Sequence, residues 1–199
     1  MSDYNTDVLI RAISQYLGIA PKAGDVRYLP KEEFDQRYNM DYGRIMGIAG
    51  AITLPGNKIY IHEGSESSAL HELIHTAGFQ YPGCESSVVN EGMTQFATIE
   101  IGKKLGLRPH SGYVDEIRIA SDIINTAGVP KRTFLRGYAK ASDKYRYISD
   151  LLWKKHYRKF RNVEDWGPAE RVKKEIYRDL KNLVGYSVYL EEMLKSKKK

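Results

Sequence analysis

Two histidines four residues apart, with a glutamate directly after the first, stand in the segment His71-Glu72-Leu73-Ile74-His75. On an α-helix, residues i and i+4 are turned about 40° apart and lie about 6 Å apart along the axis, so both imidazoles project from one face toward one point. One metal ion fits such a point. Zinc takes imidazole nitrogens at about 2.0–2.1 Å, and a catalytic site uses three protein ligands and leaves the fourth position to water. Glu72, turned about 100° from His71, can reach that water as a general base. Chance produces the five-residue pattern in about one chain in a hundred with this histidine content, so the surrounding residues have to decide its meaning.

A third ligand is available in Val89-Asn90-Glu91-Gly92-Met93-Thr94-Gln95-Phe96, where 15 residues separate Glu91 from His75. A helix ending near Gly78, a loop and a second, antiparallel helix can bring Glu91 to the two histidines. Tyr81 is the rival, because His71-Glu72-x-x-His75-x-x-Gly78-x-x-Tyr81 follows the metzincin pattern up to its final ligand. A neutral phenol is a poorer zinc ligand than a carboxylate, and Glu91 is preferred. Cys84 and Glu85 follow Pro82-Gly83 in a stretch that reads as loop and are taken as structural.

The pair of motifs, His-Glu-x-x-His and then Asn-Glu-Gly-x-Thr-x-Phe, resembles the gluzincin metallopeptidases over about residues 44–140. The resemblance implies one zinc ion per chain, held by His71, His75 and Glu91, with Glu72 as base in peptide-bond hydrolysis. It also implies a zincin-like fold in which an edge strand, here Lys58 to His62, pairs with an extended peptide. A further donor is wanted for the oxyanion. His110, Tyr113 and Tyr138 are candidates; in zincins that this chain resembles, a tyrosine opens the helix after the glutamate helix, which favours Tyr113 as a catalytic residue. Asn90 and Thr94 are expected to orient the ligands through hydrogen bonds. His62 reads as a polar strand end and His156 as a solvated helix residue.

The elements that must position these residues are legible from periodicity. Apolar residues at Val8, Leu9, Ala12, Ile13, Tyr16 and Leu17 predict a helix stopped by Gly18. A strand is expected at 25–29 and a short helix at 31–38. Two more strands, at 45–54 and 58–62, should form a hairpin around Pro55-Gly56-Asn57. Ser65 or Ser67 should cap the histidine helix, with Gly78 at its end. Helices are expected at about 85–105, 111–126, 131–139, 142–161 and 168–194. The fold class is α+β, with a small, mostly antiparallel N-terminal sheet carrying the histidine helix and a mainly helical second half. It is one zincin-like domain with subdomains at 1–78 and 79–199.

Composition narrows the remaining classes. The chain of 199 residues has one cysteine, Cys84, which excludes an intrachain disulfide, and its length suffices for a core without a structural metal. A mean hydropathy of −0.50 and no apolar run long enough for a signal or a span lead to the expectation of a cytoplasmic protein with no membrane partner. The net charge is +6, split as −5 over residues 1–130 and +11 over 131–199. Basic residues interleaved with aromatics in the second half could bind nucleic acid. Helix-spaced Leu151, Leu152, Val163, Ile176, Leu180 and Leu183 favour the simpler reading of wet faces on packed helices. A monomer acting on a peptide or protein substrate is therefore expected. A catalytically inactive zincin-like binding module and a basic nucleic-acid-binding protein are the alternatives.

Overall fold

The computed structural model describes residues 5–42, 50–54, 56–79, 88–108, 112–157, 174 and 178. It is a mixed α/β protein with one small sheet and mostly helical content, compatible with the α+β expectation. The chain divides into two compact units: Met1–Phe79 with Ala97–Gly112, and Gln80–Phe96 with Tyr113–Lys199.

In the first unit, helix α1 (Thr6–Leu17) buries Leu9, Ile13, Tyr16 and Leu17, the apolar stripe visible in the sequence. Asn5 caps its start by accepting from the Asp7 amide, and Gly18 ends it with a φ of 70°. Strand β1 (Val26–Leu29), helix α2 (Lys31–Tyr42), strands β2 (Ala51–Leu54) and β3 (Lys58–His62) and helix α3 (Glu66–Ile74) follow. The β2–β3 hairpin forms as expected, in the register Leu54↔Lys58 to Ala51↔Ile61, and Gly56 and Asn57 both take positive φ in its turn. The 45–49 part of the expected strand lies outside the described residues.

Two expectations for the sheet are corrected. It is mixed rather than mostly antiparallel, because β1 pairs parallel with β3 while β2 pairs antiparallel with it. The helix α2 between β1 and the hairpin carries the chain back, which lets a later strand run parallel to β1. The strand order is β1-β3-β2, so Lys58–His62 is the central strand and not an edge.

Alternation along the strands sorts the faces. Leu29, Phe34 and Ile52 form a core cluster with Tyr38, Leu54 and Tyr60, which places α2 on one face. Ile59 and Ile61, fully buried, lie on the opposite face, where α3 packs against β2 and β3. Thr53, the register partner of Ile59, shares that second face.

Helix α4 (Val88–Leu105) supplies residues to both units. In the second unit, α5 (Val114–Ala127), α6 (Lys131–Lys140) and α7 (Lys144–Tyr157) pack on one another. They bury Ile123 and Ile124 of α5, Phe134, Leu135 and Tyr138 of α6, and Tyr145 and Ile148 of α7. The helix expected at 168–194 falls almost wholly outside the described residues. No helix among the described residues is long and apolar enough to cross a membrane.

At the corner between α6 and α7, Lys144 is only 4% exposed. Its ammonium donates to the carbonyls of Tyr138, Ala139 and Ala141 at 2.7, 3.1 and 2.7 Å, closing the end of α6. Burial pulls its pKa from 10.5 down to about 8. The fold therefore binds fewer protons than the unfolded chain between about pH 8 and about pH 10.5, and stability climbs as pH rises through that window. Burial also raises the Tyr147 phenol, which removes stability above its ordinary value of about 10. Thermal unfolding compared between about pH 8 and pH 9.5 should show a rising midpoint in the wild type relative to Lys144→Met, the upper limit being set below the phenol. Identical slopes in the two proteins would show that this amine titrates as it does in water.

Candidate metal centre

Helix α3 begins after Ser65 at the N-cap position, with Glu66 in the first turn, where negative charge is favoured. Of the two serines expected as cap, Ser65 is the one used, although its side chain makes no capping bond. Ala69, Leu70, Leu73 and Ile74 are fully buried, so the helix is enclosed on several sides. His71 and His75 lie within the same enclosure, at 6% and 7% exposure. Polar groups so placed are costly unless something engages them.

Their geometry indicates what does. The two Nε2 atoms face one another at 3.0 Å, with ring centroids 4.8 Å apart and planes inclined at 74°. Two nitrogens at about 2.0–2.1 Å from a tetrahedral zinc would stand about 3.3 Å apart, so the pair is close to the spacing a shared ion needs. A single hydrogen can bridge them in the ion's absence, one ring donating and the other accepting. After Ile74 the helix breaks within His75–Phe79, where Ala77 leaves helical geometry with a ψ of 28° and Gly78 takes a φ of 93°, in agreement with its expected role as terminator.

Glu91 lies in the first turn of α4, a continuous helix of 18 residues. Its neighbours are buried on both the apolar and the polar side, including Val89, Asn90, Met93, Thr94 and Gln95. The ligand atoms of His71, His75 and Glu91 all lie within 4.8 Å of one another, and among the described residues this is the one group of three or more His, Cys, Asp or Glu arranged to hold a metal ion. The three residues singled out in the sequence are thus brought together, and a metal fits the donor set: two buried imidazoles and one half-buried carboxylate.

The glycine that follows Glu91 has a specific reason. A Cβ on Gly92 would clash with the Glu116 carbonyl oxygen of α5 and sit 3.3 Å from Ala120 Cβ, so the two helices approach backbone to backbone. Asn90 is held on the same turn: Tyr138 donates its hydroxyl to Asn90 Oδ1 at 3.2 Å, and Thr94 donates to the Asn90 carbonyl at 2.8 Å. Tyr138 is buried, and its hydroxyl serves this contact.

Glu72 is half-buried and accepts a hydrogen bond from Thr53 Oγ1 to its Oε2 at 2.6 Å. The motifs alone give Thr53 no role. The signal is present in strand alternation, which puts Thr53 on the face opposite Ile52 and Leu54 once the hairpin register is known. Tyr113 stands at the N-cap of α5, 41% exposed and with a φ of 65°, a left-handed conformation uncommon for an aromatic residue. His62 Nδ1 lies 3.2 Å from Ser65 Oγ and its ring packs on Phe34, consistent with a strand-end role. His156 falls within α7. Tyr81, Cys84, Glu85 and His110 lie outside the described residues. No protein-family model, curated protein or solved structure matches this chain.

Proposed function

We propose that the chain is a zinc-dependent metallopeptidase of the gluzincin type, with a zincin-like arrangement of sheet and histidine helix. The observation that carries this reading is that the ligand atoms of His71, His75 and Glu91 all lie within 4.8 Å of one another, with Glu72 directly after His71 in the sequence. His71, His75 and Glu91 would hold a divalent ion, which when bound would supply Lewis acidity toward a carbonyl oxygen and toward water.

The residues of the chain divide the remaining work. His71 and His75 bind as neutral imidazoles, and Glu91 contributes the negative charge that a divalent cation requires in a half-buried site. Glu72 accepts a proton from the attacking water and passes it to the leaving amine. A purely structural metal site has no use for such a base. Tyr113 is assigned as the oxyanion donor: it is exposed, its backbone is held in a strained region, and strain of that kind concentrates at functional positions. Because β3 is central, β2 replaces it as the strand against which an extended substrate would lie. Among the described residues β2 is paired on one side only, and its Thr53 touches Glu72.

Metal analysis and a peptidase assay test the proposal together. The purified chain should hold about one zinc and cleave an unfolded protein substrate; a chelator should abolish cleavage and added zinc should restore it. Stoichiometric zinc with no cleavage across a broad peptide panel would sink the enzyme and leave a binding module. A chain with no affinity for zinc would sink both.

A further inference from the structure

Thr53 is the one side chain outside the metal-binding group that reaches the residue proposed as base, among the contacts the described residues show. Its placement follows from the sheet. In the β2–β3 register Thr53 stands opposite Ile59, on the face covered by α3, so the strand aims its hydroxyl at the helix that carries Glu72. The contact is short, 2.6 Å from Oγ1 to Oε2, within the range of charge-assisted O–H···O bonds. A threonine hydroxyl can donate one hydrogen bond, and here Glu72 Oε2 accepts it. One carboxylate oxygen, Oε2, is thereby engaged.

The physical need for such a contact is clear. Glu72 has three rotatable side-chain bonds and sits one residue from a metal ligand, so its carboxylate can swing toward or away from the ion unless something restrains it. Threonine suits the task because its β-branched side chain has few rotamers and its backbone is tied into a ladder. We infer that Thr53 is a positioning residue, which holds the Glu72 carboxylate by Oε2 so that Oε1 meets the water to be activated. The inference rests on the function proposed above, and groups that orient a metal site's reactive parts are typically worth about 10–100-fold in activity or affinity.

The test uses the full-length holoprotein and the variants Thr53→Val, which keeps shape and strand preference but removes the donor, and Thr53→Ser, which restores it. Thr53→Ala serves if the valine protein does not fold. Three readouts are taken: bound metal, kcat and KM on the peptide that the wild type cleaves, and the visible d–d spectrum of the Co(II)-substituted protein. Thr53→Val should retain one metal per chain and lose about 10–100-fold in kcat with KM nearly unchanged. Thr53→Ser should recover most of that loss. The Co(II) bands of Thr53→Val should move in the direction seen with Glu72→Gln, whereas those of Thr53→Ser should overlay the wild type.

The inference is overturned if Thr53→Val matches the wild type in kcat and spectrum while Glu72→Gln changes both. It is equally overturned if Thr53→Val and Thr53→Ser are impaired alike and lose metal, which would mark a structural contact. If the wild type cleaves nothing, the hydrolase reading fails on its own account, and the Co(II) spectra still decide the positioning role. A joint shift in Thr53→Val and Glu72→Gln then supports it, and an unmoved spectrum in Thr53→Val, or in Glu72→Gln, refutes it.

Discussion

Glu72→Gln should leave zinc in place and reduce hydrolysis by at least about 10²–10⁴-fold, the usual contribution of a positioned general base. The substitution keeps the side chain's length and volume, so the packing of α3 on the sheet is undisturbed. What it removes is the capacity to take a proton, because an amide oxygen is a far weaker base than a carboxylate. The loss should therefore appear in kcat, with KM and metal content close to the wild type. Measuring kcat, KM and bound zinc on one preparation separates this from partial unfolding. A glutamine variant that turned over at the wild-type rate would remove Glu72 from the mechanism and with it the peptidase assignment.

Glu91→Ala should have the opposite signature: the fold persists and the metal goes. Two neutral imidazoles would remain, with no anionic ligand to offset the ion's charge. Zinc affinity should fall by at least about a hundredfold, since even the outer partners of a metal site cost roughly 10–100-fold when lost. Glu91 is half-buried, so the metal-free protein should unfold at a temperature close to that of the metal-free wild type. The difference emerges on adding zinc. An ion that binds only the folded state raises its stability by RT ln(1 + [L]/Kd), so the wild-type midpoint should climb with zinc concentration while that of the variant stays flat over the same range. Equal zinc stoichiometry in the two proteins would exclude Glu91 as a ligand and return attention to residues 80–87.

The histidine helix, the first helix, the hairpin and the carboxylate helix are all legible in the sequence because each is written locally, in periodicity, in a turn dipeptide or in a terminating glycine. The features that are not legible depend on partners distant in sequence. Nothing in Val26–Leu29 states which strand it will join, and only the return through α2 makes the β1–β3 pairing parallel and moves Lys58–His62 to the middle of the sheet. Thr53 is hidden for the same reason: its strand is visible, but the helix across from it is not. Charge is a fair guide in the second half, where Lys131, Arg132, Lys140 and Arg146 are exposed. Lys144 departs from that pattern because three carbonyls at the end of α6 accept hydrogen bonds from its ammonium, an arrangement that composition does not reveal.

The clearance at Gly92 gives the Asn-Glu-Gly triplet a meaning separate from ligation. The glutamate's reach is set partly by how near one main chain can slide to another, and the missing side chain is what permits that proximity. One added carbon there would act as a wedge, prising α4 from α5 and displacing the neighbouring carboxylate while leaving every donor atom chemically intact. The affinity of the proposed centre would then depend on the neighbouring glycine, about 100° round the helix from the carboxylate.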